Sequence, residues 1–311
     1  MGKRAPGKRG IIKSTMPTVT VTPEMPIAEA GRLLMSDELS TVQAHWRALR
    51  LSAEVTAVHE TRKAIRRTLT LLKLFTPYFA PGVLEPHRVT LRGIMRRLGP
   101  CRDVAVFRLK LDAFNETAER PLTQLTAYWQ EQQAEFDRTL RRYLARKKVR
   151  RRLGAYARFT TTPGVDAMPR GEKITPLQVR HALPALLFQR VGAVRAWGEL
   201  LPEATPTQFH QLRIRFKELR YTLTFFEPVL SAGGEMIDLS RRIQEHLGDL
   251  NDAGVALSLL TSMKGYRKER AIYSAYQQAE LERLTAGFLP LYAEFDRPEV
   301  RVHLAQVAAE L

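Results

Sequence analysis

Two segments of the chain carry the residues best suited to hold phosphate groups. The first places a histidine ahead of four cationic side chains: His59, Arg62, Lys63, Arg66 and Arg67. The second places a histidine ahead of three more: His210, Arg213, Lys217 and Arg220. The planar guanidinium of arginine donates two hydrogen bonds to one phosphate, and lysine contributes a compact charge. Both segments are therefore candidate anion-binding sites.

Each segment is followed, at a similar distance, by a second short motif. Gly99 and Asp103 stand in the first copy of this motif, and Gly248 and Asp252 stand in the second. The offset between the copies is 151 residues at the histidines and 149 residues at the aspartates. A nearly constant offset predicts a duplicated unit, whose equivalent helices would be related by a pseudo-twofold axis and would hold a ligand from two sides.

The cations of the second segment share one face of a predicted helix. With His210 at 0°, a rotation of about 100° per residue places Arg213, Lys217 and Arg220 between about −80° and −20°, opposite apolar side chains such as Phe216. Like charges four residues apart destabilise a helix by a few tenths of a kcal/mol. A polyanion against this face would neutralise the charges. The first segment gives a corresponding stripe with less cleanly separated apolar residues.

The two histidines admit three interpretations. His59 and His210 are structural and partly buried, or they donate a hydrogen bond to phosphate, or they act as metal ligands or phospho-acceptors. The third interpretation is disfavoured, because no further imidazole or carboxylate stands one helical turn away.

The two aspartates also admit three interpretations. If Gly99 and Gly248 end one helix, Asp103 and Asp252 begin the next, where the helix dipole favours negative charge. An ion pair with an arginine of the cationic stripe is equally consistent, and a pair of catalytic carboxylates is the third interpretation. The sequence has no glycine-rich phosphate loop, zinc-ligand spacing or Gly-x-Ser-x-Gly motif.

The composition favours a polyanionic partner. The chain of 311 residues has 49 Lys and Arg against 32 Asp and Glu, a formal net charge of +17. Such a field attracts polyanions and accelerates their capture. The single cysteine, Cys101, excludes an internal disulfide and is interpreted as a small filler at a helix end. No stretch approaches the roughly 20 apolar residues of a membrane span, so we expect a cytoplasmic protein without membrane association.

The chain is predicted to be all-α, with no sustained alternation that would indicate strands. Residues 1–36 are expected to form a flexible basic arm, 37–160 and 176–311 two similar four-helix bundles, and 161–175 the linker between them. The predicted helices cover about 37–75, 86–99, 102–119, 121–158, 176–199, 206–228, 235–247, 251–263, 266–288 and 290–309. The densest basic run, 138–152, lies in the fourth of these helices.

The paired motifs resemble those of the CHAD family, the conserved histidine α-helical domain. The resemblance covers about residues 37–311 and rests on four short motifs in the family's order: His59-x-x-Arg62-x-x-x-Arg66-Arg67, Leu98-Gly99-x-x-Arg102-Asp103, His210-x-x-Arg213-x-x-x-Lys217-x-x-Arg220-Tyr221 and Leu247-Gly248-x-Leu250-Asn251-Asp252. It implies two four-helix bundles related by pseudo-twofold symmetry and a basic central groove that binds inorganic polyphosphate.

The resemblance also implies which side chains line that groove. They are His59, Arg62, Lys63, Arg66, Arg67, Arg92, Arg102, His210, Arg213, Lys217, Arg220 and Arg241. Two departures make the copies unequal: Leu69 stands where the second copy has Arg220, and Glu218 stands where the first copy has Arg67. Family members often accompany a catalytic domain that processes triphosphates, for which this chain has no room.

The resulting hypothesis is non-catalytic binding of polyphosphate, with no metal and no cofactor, and with localisation to polyphosphate granules. Two alternatives stay open. A metal-dependent phosphohydrolase or phosphotransfer enzyme would use the histidines with Asp103 and Asp252. An RNA-binding protein would use the 138–152 run together with the basic arm, although few aromatic residues interleave with that run.

Overall fold

The computed structural model describes residues 19–167, 178–230 and 233–311. Within these ranges the chain forms eleven α-helices: α1 Ile27–Leu51, α2 Val55–Leu74, α3 Glu85–Asn115, α4 Thr123–Leu144, α5 Lys147–Thr161, α6 Val179–Arg195, α7 Pro206–Phe225, α8 Gly234–Ser262, α9 Arg267–Ala286, α10 Phe288–Asp296 and α11 Pro298–Ala309. Three short 3₁₀ turns stand at Thr76–Tyr78, Gly198–Glu203 and Glu227–Val229. The described residues contain no β-strand, only two isolated bridges. The predicted all-α class is confirmed.

Helix α2 packs between α1 and α3, and helix α7 packs between α6 and α8. These two groups meet where α2 contacts α7 and where α3 contacts α8. The helices that carry the paired motifs are therefore neighbours at the centre of the molecule. The internal duplication and the linker at 161–175 stay predictions, and part of that linker lies outside the described residues. None of the described helices is long and apolar enough to cross a membrane.

Apolar burial fixes this arrangement. One large core runs through both groups of helices, and its fully buried side chains include Phe75, Phe216 and Phe226. A smaller core joins α3 and α4 to α8 and α9, where the rings of Phe107 and Tyr273 meet edge to face with centroids 5.3 Å apart. Aromatic contacts of this kind add about 0.5–1.5 kcal/mol to the burial itself. The central helices are thus held from two sides.

The predicted helix ends at Gly99 and Gly248 are wrong. Helix α3 continues through Gly99 and Pro100, and α8 continues through Gly248. The buried faces explain the difference: Leu98 and Cys101 are both inaccessible on α3, so ending the helix there would expose part of the core. Packing of this kind overrides local propensity. Asp103 and Asp252 accordingly lie inside long helices rather than at helix starts, and Cys101 is a buried residue within a helix.

Other predicted boundaries need the opposite correction. The predicted helix over 37–75 is broken after Leu51, where Ala53 adopts a left-handed φ of 50°. The helix over 121–158 divides into α4 and α5 at Ala145 and Arg146, and the last predicted helix divides before Pro298. Only the break at Pro298 is marked in the sequence by a proline. The other two breaks contain no glycine or proline that would have predicted them.

The predicted flexible arm is also too long. Helix α1 begins at Ile27, and the described residues that precede it already pack on the core, since Val21 is buried. Gly31 of α1 lies against the ring of Phe75, where a Cβ atom would come within 2.6 Å of the ring. Residues 27–36 therefore belong to the folded domain, and residues 1–18 lie outside the described residues.

Candidate anion-binding cavity

A cavity of about 310 Å³ lies where α2, α3, α7 and α8 meet. Nine lysines and arginines line it, together with His59: Arg62, Lys63, Arg66, Arg67, Arg102, Lys110, Arg213, Arg220 and Arg241. Three carboxylates share the lining: Asp103, Glu245 and Asp252. Cations therefore outnumber carboxylates three to one, and the cavity carries a large excess of positive charge.

The structure brings most of the predicted site residues to this cavity. Nine of the twelve line it: His59, Arg62, Lys63, Arg66, Arg67, Arg102, Arg213, Arg220 and Arg241. They are contributed by four different helices, as expected if the cationic stripes of α2 and α7 turn toward one another. The remaining three are Lys217, His210 and Arg92.

Lys217 is half-buried and is not among the residues that line the cavity. Burial and the nearby charges of Arg66, Arg213 and Arg62 together lower its pKa to about 5. Asp252 is the nearby charge that acts in the opposite direction. An amine in these surroundings is neutral near pH 7 unless an anion enters the cavity. The protonation state of Lys217 therefore depends on how much of the surrounding positive charge is neutralised.

His210 and Arg92 lie away from the cavity lining. The Nδ1–H group of His210 donates to Oδ1 of Asn251, 2.8 Å away, at the exposed start of α7. Asn251 itself lines the cavity, so His210 supports a lining residue rather than facing the space. Arg92 is exposed on α3 beside Met95 and Arg96, in a separate shallow hollow.

Several lining residues were absent from the sequence-based site. Lys110 is the most informative, because its Nζ lies 3.3 Å from Asp249 and 4.0 Å from Asp252 and so joins α3 to α8. It follows Asp103 by seven residues, which is two helical turns and therefore the same face. The predicted helix over 102–119 contains both residues, so this spacing was a signal that could have found Lys110. Glu245 of α8 stands seven residues before Asp252, but the predicted break at Gly248 put the two residues on separate helices.

Burial lowers the pKa of three of the lining arginines. It lowers the pKa of Arg62 and Arg102, and it lowers the pKa of Arg213 to about 10. Neighbouring guanidinium groups, Arg66 above all, contribute in the same direction at Arg62 and Arg213. The cations are therefore crowded and partly desolvated, a condition that a bound anion would relieve.

The carboxylates offset only part of this charge. Asp103 lies 3.7 Å from Nη2 of Arg62, the predicted ion pair between an aspartate and the cationic stripe. Burial nevertheless raises the pKa of Asp103, with Asp252 adding to the effect. Gly99 lies directly beneath this pair, since a Cβ atom there would stand 3.5 Å from Nη1 of Arg62.

Arg67 is a lining cation with a buried acidic partner. It forms an ion pair with Glu38 of α1 in which both side chains are 6% exposed. Its guanidinium also lies over the ring of Phe225, 4.9 Å from the centroid. Arg67 therefore links the cavity wall to α1.

His59 faces the cavity in a neutral form. Burial lowers its pKa, and the charges of Arg102, Lys63 and Arg66 add to that effect. Its Nε2 lies 3.8 Å from Glu60. A neutral imidazole still donates one hydrogen bond, so both the structural and the phosphate-donor interpretations stay open. In the part of the chain that the structure describes, no three His, Cys, Asp or Glu side chains are placed to hold a metal ion.

Together these features define an all-α protein in which two groups of helices enclose a strongly cationic cavity. The chain belongs to the CHAD domain family, whose model matches residues 34–261. This range covers every residue that lines the cavity. The resemblance inferred from the paired motifs is thereby confirmed.

Two solved structures share the fold. One is the crystal structure of the CHAD domain from the plant Ricinus communis, with a TM-score of 0.67 and 20% identity over 92% of this chain and 94% of that chain. The other is PptA from Streptomyces chartreusis, with a TM-score of 0.63 and 14% identity over 86% of this chain and 99% of that chain. No curated relative matches the chain.

Proposed function

We propose that this protein binds inorganic polyphosphate in the central cavity and does not turn it over. The observation that carries the proposal is the convergence of nine lysines and arginines from four helices against only three carboxylates. One cation–anion pair at about 4 Å contributes roughly 1 kcal/mol in water and about 4 kcal/mol at an effective dielectric near 20. A chain of phosphates would collect several such contacts at once.

The ligand is a chain rather than a single phosphate because the positive charge is spread along the cavity. Arg213 and Arg220 stand two turns apart on α7, and Arg62 and Arg66 stand one turn apart on α2. A lone phosphate would neutralise only the cations nearest to it. Successive phosphates of one polymer would contact both helices, and localisation at polyphosphate granules would follow from such binding.

The geometry favours binding over catalysis. Asp103 is engaged by Arg62, and Asp252 lies within 4.0 Å of Lys110, so neither carboxylate is poised as an unengaged general base. The cavity cations are arranged to stabilise a bound anion. The enzymatic alternative makes a separate prediction: incubation with Mg²⁺ or Mn²⁺ would release phosphate from the polymer, and we expect none.

The test is a titration of the full chain with long-chain polyphosphate at 50 mM and 500 mM salt. Binding should weaken steeply as salt rises, because each phosphate contact releases condensed counterions. The double variant Arg66→Gln/Arg213→Gln should lose at least tenfold in affinity. The matched variant Arg151→Gln/Arg152→Gln removes the same charge from exposed positions on α5 and should change the affinity by less than threefold.

Two results would contradict the proposal. Equal losses in the two double variants would mean that net charge, and not the cavity, controls binding. Tight binding that is indifferent to salt would mean that phosphate contacts are not its source. Circular dichroism of both variants checks that the fold is retained.

A further inference from the structure

A second basic surface lies on the outside of the first group of helices. It comprises exposed cations of α3, the α4–α5 junction and α5: Arg92, Arg96, Arg97, Arg142, Arg146, Lys147, Lys148, Arg150, Arg151, Arg152 and Arg158. We call this set the outer basic surface. Among the described residues, no carboxylate lies within 4.0 Å of any of these side chains.

The charge of the whole chain is concentrated in the segments that form this surface. Residues 86–100 and 138–158 contain fourteen lysines and arginines and no aspartate or glutamate, in a chain whose net charge is +17. Acidic residues border it: Glu85 pairs with Arg88 at 3.0 Å and lines the hollow that holds Arg152, and Glu135 pairs with Arg138 at 2.6 Å. So many lysine and arginine charges without carboxylate partners either bind a large anion or stay hydrated by solvent.

Two contacts show that the surface is continuous across the helices. The guanidinium groups of Arg97 and Arg146 lie on the same Tyr143 ring, 5.5 Å and 5.4 Å from its centroid. Val89 borders both the hollow that holds Arg92 and the hollow that holds Arg152. The cations of α3, the junction and α5 therefore form one face.

This face is distinct from the central cavity. None of the residues of the outer basic surface lines the cavity. Helix α3 contributes to both, with Arg92, Arg96 and Arg97 exposed outside and Arg102 lining the cavity. Helix α3 thus presents cations both to the outer basic surface and to the central cavity. Each of these two regions can be substituted, or saturated with a ligand, without the other.

The shape of the surface determines what kind of polyanion fits it. The hollows at Arg92 and Arg152 are shallow and open, so they do not enclose a thin chain as the cavity would. Helix α5 has 15 residues and is about 22 Å long, which is roughly two thirds of one turn of a nucleic-acid duplex. A broad array of this length matches the phosphates on one side of a duplex.

The surface also lacks the features needed to read or stack bases. Tyr143 is half-buried and its ring is covered by two guanidinium groups. The ring of His87, which lines the hollow at Arg152, is half-buried and packs against Tyr156 and Phe159. Single-strand binders use exposed aromatic platforms. We therefore propose that the outer basic surface binds the phosphate backbone of double-helical nucleic acid without sequence preference, while the central cavity is left for a separate anion.

The experiment measures binding of the full chain to two 24-base-pair DNA duplexes of unrelated sequence by fluorescence anisotropy. The triple variant Lys147→Gln/Arg150→Gln/Arg151→Gln should lose at least tenfold in affinity for both duplexes. The slope of the logarithm of the binding constant against the logarithm of the salt concentration should become shallower by about 2 to 3, because each lost phosphate contact removes about 0.9 from it. All three side chains are exposed, so the fold should be unaffected.

A matched control removes three exposed cations elsewhere. Lys264→Gln/Arg267→Gln/Lys268→Gln lowers the net charge equally at the start of α9 and should change duplex affinity by less than twofold. Equal losses in the two triple variants would overturn the proposal, because net charge alone would then explain binding. Tighter binding of the single strand than of the duplex, or binding only to anionic lipid vesicles, would also overturn it.

The cavity variant Arg66→Gln/Arg213→Gln separates this proposal from polyphosphate binding. It should bind duplex DNA as the unmodified protein does, and a short polyphosphate that saturates the cavity should leave the duplex bound. Loss of duplex binding in the cavity variant would place the nucleic acid in the cavity and refute a separate surface. Failure of polyphosphate binding alone would leave the duplex result unchanged.

Discussion

Arg67 of α2 and Glu38 of α1 form an ion pair that is almost entirely removed from solvent, with each side chain 6% exposed. Arg67 also lines the central cavity. The guanidinium of Arg67 therefore has two roles. It pairs with the buried carboxylate of Glu38, and it forms part of the wall of the candidate ligand cavity. This pair anchors the first helix of the family domain to the wall of the site.

Replacing Arg67 by methionine should destabilise the protein in a pH-dependent way. Removing one member of a buried ion pair leaves an uncompensated charge and costs about 3–5 kcal/mol. We expect a loss of this size in urea unfolding at pH 8 and a smaller loss at pH 5, where Glu38 takes up a proton. The double variant Glu38→Gln/Arg67→Met should recover most of the stability. Arg138→Met, which removes an exposed pair, should cost less than about 1 kcal/mol.

Glu38 itself should make stability fall as pH rises. Burial raises the pKa of Glu38 to about 7, against an ordinary value of 4.5 in the unfolded chain. The folded state therefore binds more protons between pH 4.5 and 7, and the stabilisation present below this window is lost as pH rises through it. Relative to Glu38→Gln, the unmodified protein should lose on the order of 1–3 kcal/mol from pH 4.5 to 8. Parallel stability curves for the two proteins would refute this expectation.

Binding of polyphosphate should be accompanied by proton uptake at Lys217. In the free protein its pKa is lowered to about 5 by burial and by Arg66, Arg213 and Arg62, with Asp252 opposing them. A bound anion raises that pKa, so Lys217 becomes charged in the complex, and affinity rises as pH falls toward 5. Calorimetry at pH 7 in buffers of different ionisation enthalpy measures the uptake.

Two variants assign this proton. Lys217→Met should reduce the uptake by up to one proton per complex, and it should not destabilise the free protein, since it removes an amine that the fold holds neutral. His59→Gln is needed as a comparison, because the pKa of His59 is also lowered, mainly by burial. Unchanged uptake in Lys217→Met would show that the lysine does not sense the ligand.

The continuity of α8 can be tested at Gly248. A Cβ atom there would meet nothing within 4 Å, and the residue lies inside a helix, so Gly248→Ala should stabilise the protein by about 0.5–1 kcal/mol. A helix ending at Gly248 in a left-handed conformation would instead make alanine destabilising. Gly82→Ala is the control, because Gly82 has a φ of +82° and should lose stability on substitution. Thermal or urea unfolding measures both variants.

Much of the site could be predicted from the sequence because helical periodicity is local. Arg213 and Arg220 fall on one face for any helix over that segment, and the same holds for Arg62 and Arg66. The spacing of these residues, repeated in two copies, was sufficient to predict the cationic stripes and to identify the family, and the absence of sustained apolar–polar alternation predicted the all-α class. All four of these arginines line the cavity.

The tertiary structure decided which of those charges meet one another. The outward position of Arg92, the arrival of Lys110 beside Asp252 and the pairing of Arg67 with Glu38 depend on helices far apart in the sequence. The continuity of α3 and α8 through their glycines was decided by burial of their apolar faces in a shared core. A sequence determines which face of a helix a residue occupies, because that angle follows from neighbours within two turns. Only long-range packing determines what that face is turned toward, because the packed core forms between segments that no local pattern connects.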